Sequence, residues 1–351
     1  MAYPISKASR NTGGVPGGAR EIWRGPVGSR ANRPPCLLPG LLFFSPVRSR
    51  IMGGSVTAEL LRTVREDDLH RWVELFVGPR HGQANPDQLA RKGERLADEF
   101  AALGLGVTRE EFHFTGRPYF NVVATLPGSS RDRPWLLLGA HYDAIDGSPG
   151  ADDNASGVVA LLAAAKALSQ IKPAATLQFV GFSLEEPQTG LDYYRHGSRH
   201  FARRARSQRR KYEGVFILEM VGYTDRRPGS QTVPGGILKS IPRVGDFLGV
   251  IGNRRSRRML ACLENAALRY VPELKVVTYW VYLRGLLIPI TRWSDHAPFW
   301  DRGYPAVMLT DTAFLRNPHY HQPSDTPETL DYSFMAQVAR TVIAAVAQMA
   351  G

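Results

Sequence analysis

The sequence predicts an α/β protein, a three-layer α/β/α arrangement around a central mixed, mostly parallel sheet. Three observations carry that expectation. Short continuous apolar runs, such as WLLLGA at 135–140 and AVMLT at 306–310, read as strands buried on both faces. Longer stretches with apolar residues at helical spacing lie between such runs. The alternation continues from Ser55 to the C-terminus with no linker and no repeat at solenoid periods, so a single domain over 55–351 is expected.

Residues 1–54 precede this pattern. The first 51 are rich in Gly, Pro, Arg and Ser and lack a sustained period, which predicts a disordered basic extension. The run CLLPGLLFF at 36–44 is too short to span a bilayer and too far from the start for an ordinary signal peptide. An Arg-rich, acid-poor leader fits a transit peptide, but the glycines and prolines oppose the amphipathic helix such peptides need, and Met52 is an alternative start.

From Ser55, SVTAELLRTVREDDLHRWVELFVG predicts one amphipathic helix and DQLARKGERLADEFAALGL a second. Strands are expected at VTREEFHF, YFNVVATL and WLLLGAH, then a helix over 155–169, a strand TLQFVGFS, a helix after Gly190 and a strand VFILEMV. The remainder reads as a strand FLGVIG, a helix near 256–269, a strand VVTYWVYL, a short helix after Ser294, the strand AVMLT and a closing helix from Pro327 to Ala350.

A net charge of +12 over 351 residues looks like a nucleic-acid signature. Met1 to Ile51, however, hold eight Lys/Arg against Glu21 alone, so +7 belongs to the extension and +5 to the rest. The arginine runs at 198–211 and 253–258 read as solvated helix faces, no nucleic-acid motif stands beside them, and no nucleic-acid partner is expected. Cys36 and Cys262 form no disulfide framework, and a cytoplasmic setting is compatible with them. No segment is long and apolar enough to read as a membrane span.

The chemistry-bearing residues collect where strands end. The stretch 135–157, WLLLGAHYDAIDGSPGADDNASG, delivers His141 at a strand exit, with Asp143 two residues on and Asp152 and Asp153 beyond a Gly/Pro/Ser loop. Ligands of open α/β sheets gather outside the carboxyl ends of the strands, and zinc accepts imidazole and carboxylate together. Asp143 can accept the other N–H of the His141 ring. Asp153 and Ser156 also suit a helix cap. FVGFSLEEPQTG closes a strand on Glu185 and Glu186, a pair that can divide between metal ligand and general base, since a base must not be tied up as a ligand. VFILEMVGY ends a strand on Glu219, a charge that must be exposed, paired or metal-bound. Downstream, His296, His319 and His321 are loop candidates around AVMLT, and spacing alone does not choose among them.

These motifs, in this order over about residues 100–335, resemble the co-catalytic di-zinc exopeptidases of metallopeptidase family 28. That group includes bacterial leucyl aminopeptidases, glutamate carboxypeptidase II and, as a cyclising branch, glutaminyl cyclases. The resemblance implies a zinc-exopeptidase fold, phosphorylase/hydrolase-like. It implies two Zn2+ per chain held by His141, Asp153 as the bridging carboxylate, Glu186, Glu219 and His321, which stands in the pattern His, three residues, Asp-Thr. Asp152 is the adjacent, lower-ranked alternative to Asp153. Glu219 stands where the secreted aminopeptidases more often carry Asp. Glu185 resembles the general base and Asp143 the residue that orients His141. The segment SDHAPF resembles the loop walling the substrate site, which makes Asp295 and His296 substrate-binding candidates. A Tyr found three residues before that segment in the secreted enzymes is Thr291 here, so Arg292 and Tyr223 are candidates for an oxyanion donor.

The implied activity is a metallo-aminopeptidase, with peptides bearing a free N-terminus as substrates and a monomer as the working form. A carboxypeptidase or a glutaminyl cyclase on the same scaffold, or a metal-free binding homologue, are the alternatives; the last predicts missing ligands, and none is missing. The aromatic residues Tyr193, Tyr194, Trp293, Phe299 and Trp300 are candidates to line an apolar first subsite, or to pack the core.

Overall fold

The computed structural model describes residues 54–188, 194–233 and 241–351. The expected extension over 1–54 lies outside the described residues, apart from Gly54, and so does Tyr193. Helices α1 (Gly54–Arg62), α2 (Glu66–Phe76) and α3 (Pro86–Ala102) come first, followed by strands β1 (Gly106–Phe114), β2 (Arg117–Leu126) and β3 (Trp135–His141). The chain continues with α4 (Gly157–Leu168), β4 (Leu177–Phe182), α5 (His196–Ser207), β5 (Tyr212–Leu218) and β6 (Phe247–Asn253). It ends with α6 (Arg257–Tyr270), β7 (Lys275–Val281), α7 (His296–Asp301), β8 (Ala306–Thr310) and α8 (Tyr332–Ala350).

One eight-stranded sheet has the order β1-β2-β4-β3-β5-β8-β6-β7. The pairs β3/β4, β3/β5, β5/β8 and β6/β7 are parallel, and β1/β2, β2/β4 and β6/β8 are antiparallel, so the sheet is mixed as expected. Because side chains alternate across a strand, the strand residues sort into two apolar layers. Leu136, Leu138, Phe179, Phe216 and Leu218 pack with α1–α4, α6 and α8. Leu137, Val180, Phe182, Val215 and Ile217 pack instead with Phe201 of α5 and Phe299 and Trp300 of α7. Helices therefore cover both faces, which is why the central strands are apolar throughout. In register, His141 of β3 lies beside Phe182 of β4, so both central strands end at one level. The site is built beyond that level.

Three helices depart from their expected limits. The first expected helix is two, because Thr63 turns its hydroxyl back to the Leu60 carbonyl (2.7 Å) and Arg65 is extended. Glu66, Asp67 and Asp68 then open α2, where acids favour the positive end of a helix. The closing helix begins at Tyr332 instead of Pro327, since Leu330 is extended and the Asp331 carboxylate accepts the Phe334 N–H at 2.9 Å as a cap. The helix expected from 155 starts at Gly157; Asp153 and Asn154 before it have non-helical backbone, with a cis peptide bond between them. Neither Asp153 nor Ser156 caps α4. Asn154 accepts the Gly157 N–H at 3.1 Å, which leaves the Asp153 carboxylate free for other contacts.

Candidate metal centre

Beyond the strand ends, His141, Asp153, Glu186, Glu219 and His321 converge. The His141 Nε2 is 3.4 Å from Asp153 Oδ1 and 3.4 Å from Glu219 Oε1. The His321 Nε2 is 3.2 Å from Asp153 Oδ2 and 3.3 Å from Glu186 Oε2. Two donor groups result, His141–Asp153–Glu219 and Asp153–Glu186–His321, and Asp153 serves both with a different oxygen in each.

The backbone explains the convergence. Glu185 and Glu186 do not end β4 but stand in the turn after Leu184, whose φ is +57°, so strand alternation does not set their directions. Asp143 does. Its two oxygens accept the N–H groups of Glu185 and Glu186, each at 3.0 Å, while Oδ1 also lies 3.4 Å from the His141 Nδ1. Asp325 acts likewise on the other side, accepting the N–H groups of Asp152 at 2.8 Å and Asp153 at 3.1 Å. Asp152 points elsewhere; its carboxylate accepts the Gly222 N–H (2.9 Å) and the Asn317 amide (2.7 Å). Of the adjacent aspartates, Asp153 is the one at the histidines. Glu219 follows β5 by one residue, and the Ser294 hydroxyl donates to its Oε2 at 2.7 Å.

Electrostatically the cluster is dominated by buried carboxylates. Burial raises the carboxyls of Glu185 and Glu186, and their acidic neighbours add to the effect. Burial opposes protonation of His321, yet Glu186 and Asp153 lift its imidazole to about 11; Glu219, Asp143 and Asp153 raise His141 in the same way. Glu186 Oε1 is buried with no hydrogen-bond partner among the described residues. Imidazole nitrogens and carboxylates in this proportion, one of them shared, are the donor chemistry of a hydrolytic zinc site. The residues fit the metal.

Arg80 went unrecognised in the sequence. It is fully buried, and its guanidinium donates to the carbonyls of Tyr142 (2.9 Å), Gly78 (3.0 Å), Pro149 and Gly150 (2.6 Å). The loop carrying the chain from His141 to Asp153 is thus wrapped on a cation that also faces Asp325, Asp143 and Asp153. Gly150 sits at φ +66°, and a Cβ there would lie 2.6 Å from the Arg80 Nη2. Tyr320, also unrecognised, stacks on His321 at 3.8 Å, and burial and the nearby acids raise its hydroxyl. Asp325 had a visible signal, the Asp-Thr after His321.

Among the lower-ranked candidates, Asp295 lies within the field of His141 and Glu219. Asp295 is fully buried, and burial pushes its carboxyl up to about 7. His296 is used in packing; its Nε2 donates to the Thr291 carbonyl at 2.8 Å and its ring meets Trp300 edge-on. The Arg292 guanidinium is taken up by Asp301 (2.9 Å) and the Arg284 carbonyl (2.7 Å), while the Arg292 carbonyl accepts from the buried Arg195. Tyr223 rests edge-on against His319 at 5.9 Å, and His319 itself is bonded to Ser324. Of the aromatic candidates, Trp293 joins Phe247, Tyr279, Phe314 and Tyr320 around an apolar cavity of about 120 Å³ that reaches Glu219. Phe299 and Trp300 belong to the core, and Tyr194 lies under the Arg195 guanidinium.

The model of peptidase family M28 matches residues 121–346. The chain belongs to that family. Members are zinc-dependent peptide hydrolases, and the donor groups above are its candidate metal-binding residues. The uncharacterized protein YfbL of Escherichia coli is 36% identical over 319 residues, covering 88% of this chain and 94% of its own. A probable leucine aminopeptidase of Trichophyton verrucosum is 27% identical over 309 residues, covering 83% of this chain and 74% of its own. Among solved structures, the LapA aminopeptidase of Legionella pneumophila superposes with a TM-score of 0.67 at 19% identity, over 88% of this chain and 78% of that one. A glutaminyl cyclase of Macrostomum lignano reaches 0.66 at 19% identity, over 88% and 96%. These superpositions establish the fold of this M28 member. Among the described residues, no helix is long and apolar enough to cross a membrane.

Proposed function

We propose that this M28 member is a two-zinc aminopeptidase that releases the N-terminal residue of peptides, with Glu185 as general base. The observation that carries the reading is the division of Asp153 between two donor groups, with Glu185 belonging to neither. His141 and Glu219 would hold one ion, His321 and Glu186 the other, and Asp153 both. Bound zinc supplies Lewis acidity toward the scissile carbonyl and makes water acidic enough to lose a proton near neutral pH.

The chain's own groups do the rest. Glu185, held by the bond from its N–H to Asp143, is raised by burial, so it accepts a proton from water and passes it to the departing amine. The excess of buried carboxylate favours a substrate with a free, cationic α-amino group over an internal amide. The cavity beside Glu219 offers an apolar wall for the first side chain. Tyr320, at the edge of both, is better placed than Arg292 to donate to the carbonyl oxygen. The working form proposed is a monomer in a cytoplasmic setting.

The cyclase neighbours sustain one rival reading, release of a ring-closed N-terminus from a glutaminyl peptide. Zinc analysis, together with a panel of aminoacyl-nitroanilides and a glutaminyl peptide, separates the two. Free amino acid release with two zinc ions supports the aminopeptidase; pyroglutamate formation with one zinc refutes it.

A further inference from the structure

On the surface beside the edge strand β7, a short segment departs from the polar character of its surroundings. Tyr282, Leu283, Leu286 and Leu287 are between 64% and 69% exposed. Exposed apolar residues scattered singly are ordinary, but four within six positions form a patch that calls for a partner.

The segment is ordered. Gly285 N–H bonds to the Tyr282 carbonyl (2.8 Å), Ile288 N–H to Gly285 (3.0 Å) and Thr291 N–H to Ile288 (2.9 Å). Arg292 clamps the Arg284 carbonyl from behind, and Gly285, at φ +79°, is backed closely by Thr291 and Trp300. The leucines are therefore displayed on a braced turn.

Tyr282 and Leu283 also line a wide basic cavity of about 650 Å³, together with Arg206, Arg254, Arg255, Arg284 and Arg302. Asp301 is the acid lining it, and that carboxylate is engaged by Arg292 at 2.9 Å. A neighbouring cavity continues the basic surface through Arg302 to Arg199 and Arg203. Trp280, tilted against Tyr282 at 4.7 Å between ring centroids and covered by the Arg257 guanidinium at 4.6 Å, stands at the border.

We infer that this face docks the protein on an anionic lipid bilayer. Arginines bind headgroup phosphates, ring-bearing side chains settle at the interface, and the leucines enter the acyl boundary. Each half of the patch excludes a rival. A nucleic acid or free phosphate makes no use of protruding leucines, and self-association through the leucines leaves the arginine cluster without a counter-charge.

The test is co-sedimentation of the full chain with phosphatidylcholine vesicles that contain or lack phosphatidylglycerol. Binding to the anionic vesicles alone, weakened by salt, is expected. The triple variant L283S/L286S/L287S should bind more than about tenfold more weakly, and R254A/R302A about fivefold more weakly per arginine, with unchanged circular dichroism and melting temperature. Inorganic phosphate should weaken binding no more than sodium chloride of equal ionic strength. Failure to bind anionic vesicles, equal binding to neutral ones, or full binding by the leucine variant, which would transfer the affinity to the basic residues 1–51, each overturns the inference. So does a concentration-dependent dimer abolished by L283S/L286S/L287S.

Discussion

Ser294 donates its hydroxyl to Oε2 of Glu219 at 2.7 Å, while the other oxygen of that carboxylate faces His141. A buried glutamate one residue beyond its strand has rotamer freedom that an aspartate lacks, and the serine removes it. Glu219 in place of the shorter acid is thereby accommodated. Replacing Ser294 with Ala should lower affinity for one of the two proposed zinc ions by about 10–100-fold and leave the other untouched. Competitive zinc titration reads this directly; equal weakening of both sites would show that the serine acts on the whole loop.

Glu185→Gln separates base from ligand. Turnover should drop by at least about 10²–10⁴-fold while the proposed two zinc ions remain bound. Metal loss in this variant, measured by elemental analysis, would mean that the roles of Glu185 and Glu186 are reversed.

Arg80→Met tests the buried cation. The substitution keeps most of the volume but strands the carbonyls of Tyr142, Gly78, Pro149 and Gly150 and leaves nearby acids less balanced. A loss of about 3–5 kcal/mol is expected, read from the urea midpoint. A change under about 1 kcal/mol would show that the loop holds its shape unaided.

His296 gives the protein an acid limit. Burial lowers its imidazole to about 3, whereas an unfolded histidine titrates near ~6.5. The unfolded chain takes up a proton that the folded chain refuses, so this contribution is complete above about pH 6.5 and declines as pH falls toward 3, by up to ~1.4 kcal/mol per pH unit. Urea unfolding at several acidic pH values should show a shallower decline for His296→Gln than for the wild type. An NMR titration placing the His296 ring at the ordinary histidine value would contradict it.

Much of this architecture was legible in advance. Every strand expected from an apolar run is present in the sheet, because strands buried on both faces carry their signal in composition alone. His141, Glu186 and Glu219 were marked by strand exits, and these with Asp153 and His321 by resemblance to a known order of motifs; the structure brings all five together. The helix breaks at Thr63 and Leu330 were not read, since each depends on one local bond and not on periodicity. Arg80 and Ser294 escaped because their partners are a remote loop's carbonyls and a carboxylate 75 positions away. His296 and Arg292 looked chemical in a segment rich in polar residues, yet they hold a turn together.

Asp143 and Asp325 each grip a pair of peptide N–H groups, and Arg80 grips the loop between them. These bonds hold the receptacle's loops through protein groups alone. Unlike small domains that collapse when stripped of their ion, this chain should withstand dialysis against a chelator in its native shape and accept a different divalent ion afterwards. Cobalt can then be substituted as a visible reporter without refolding the protein.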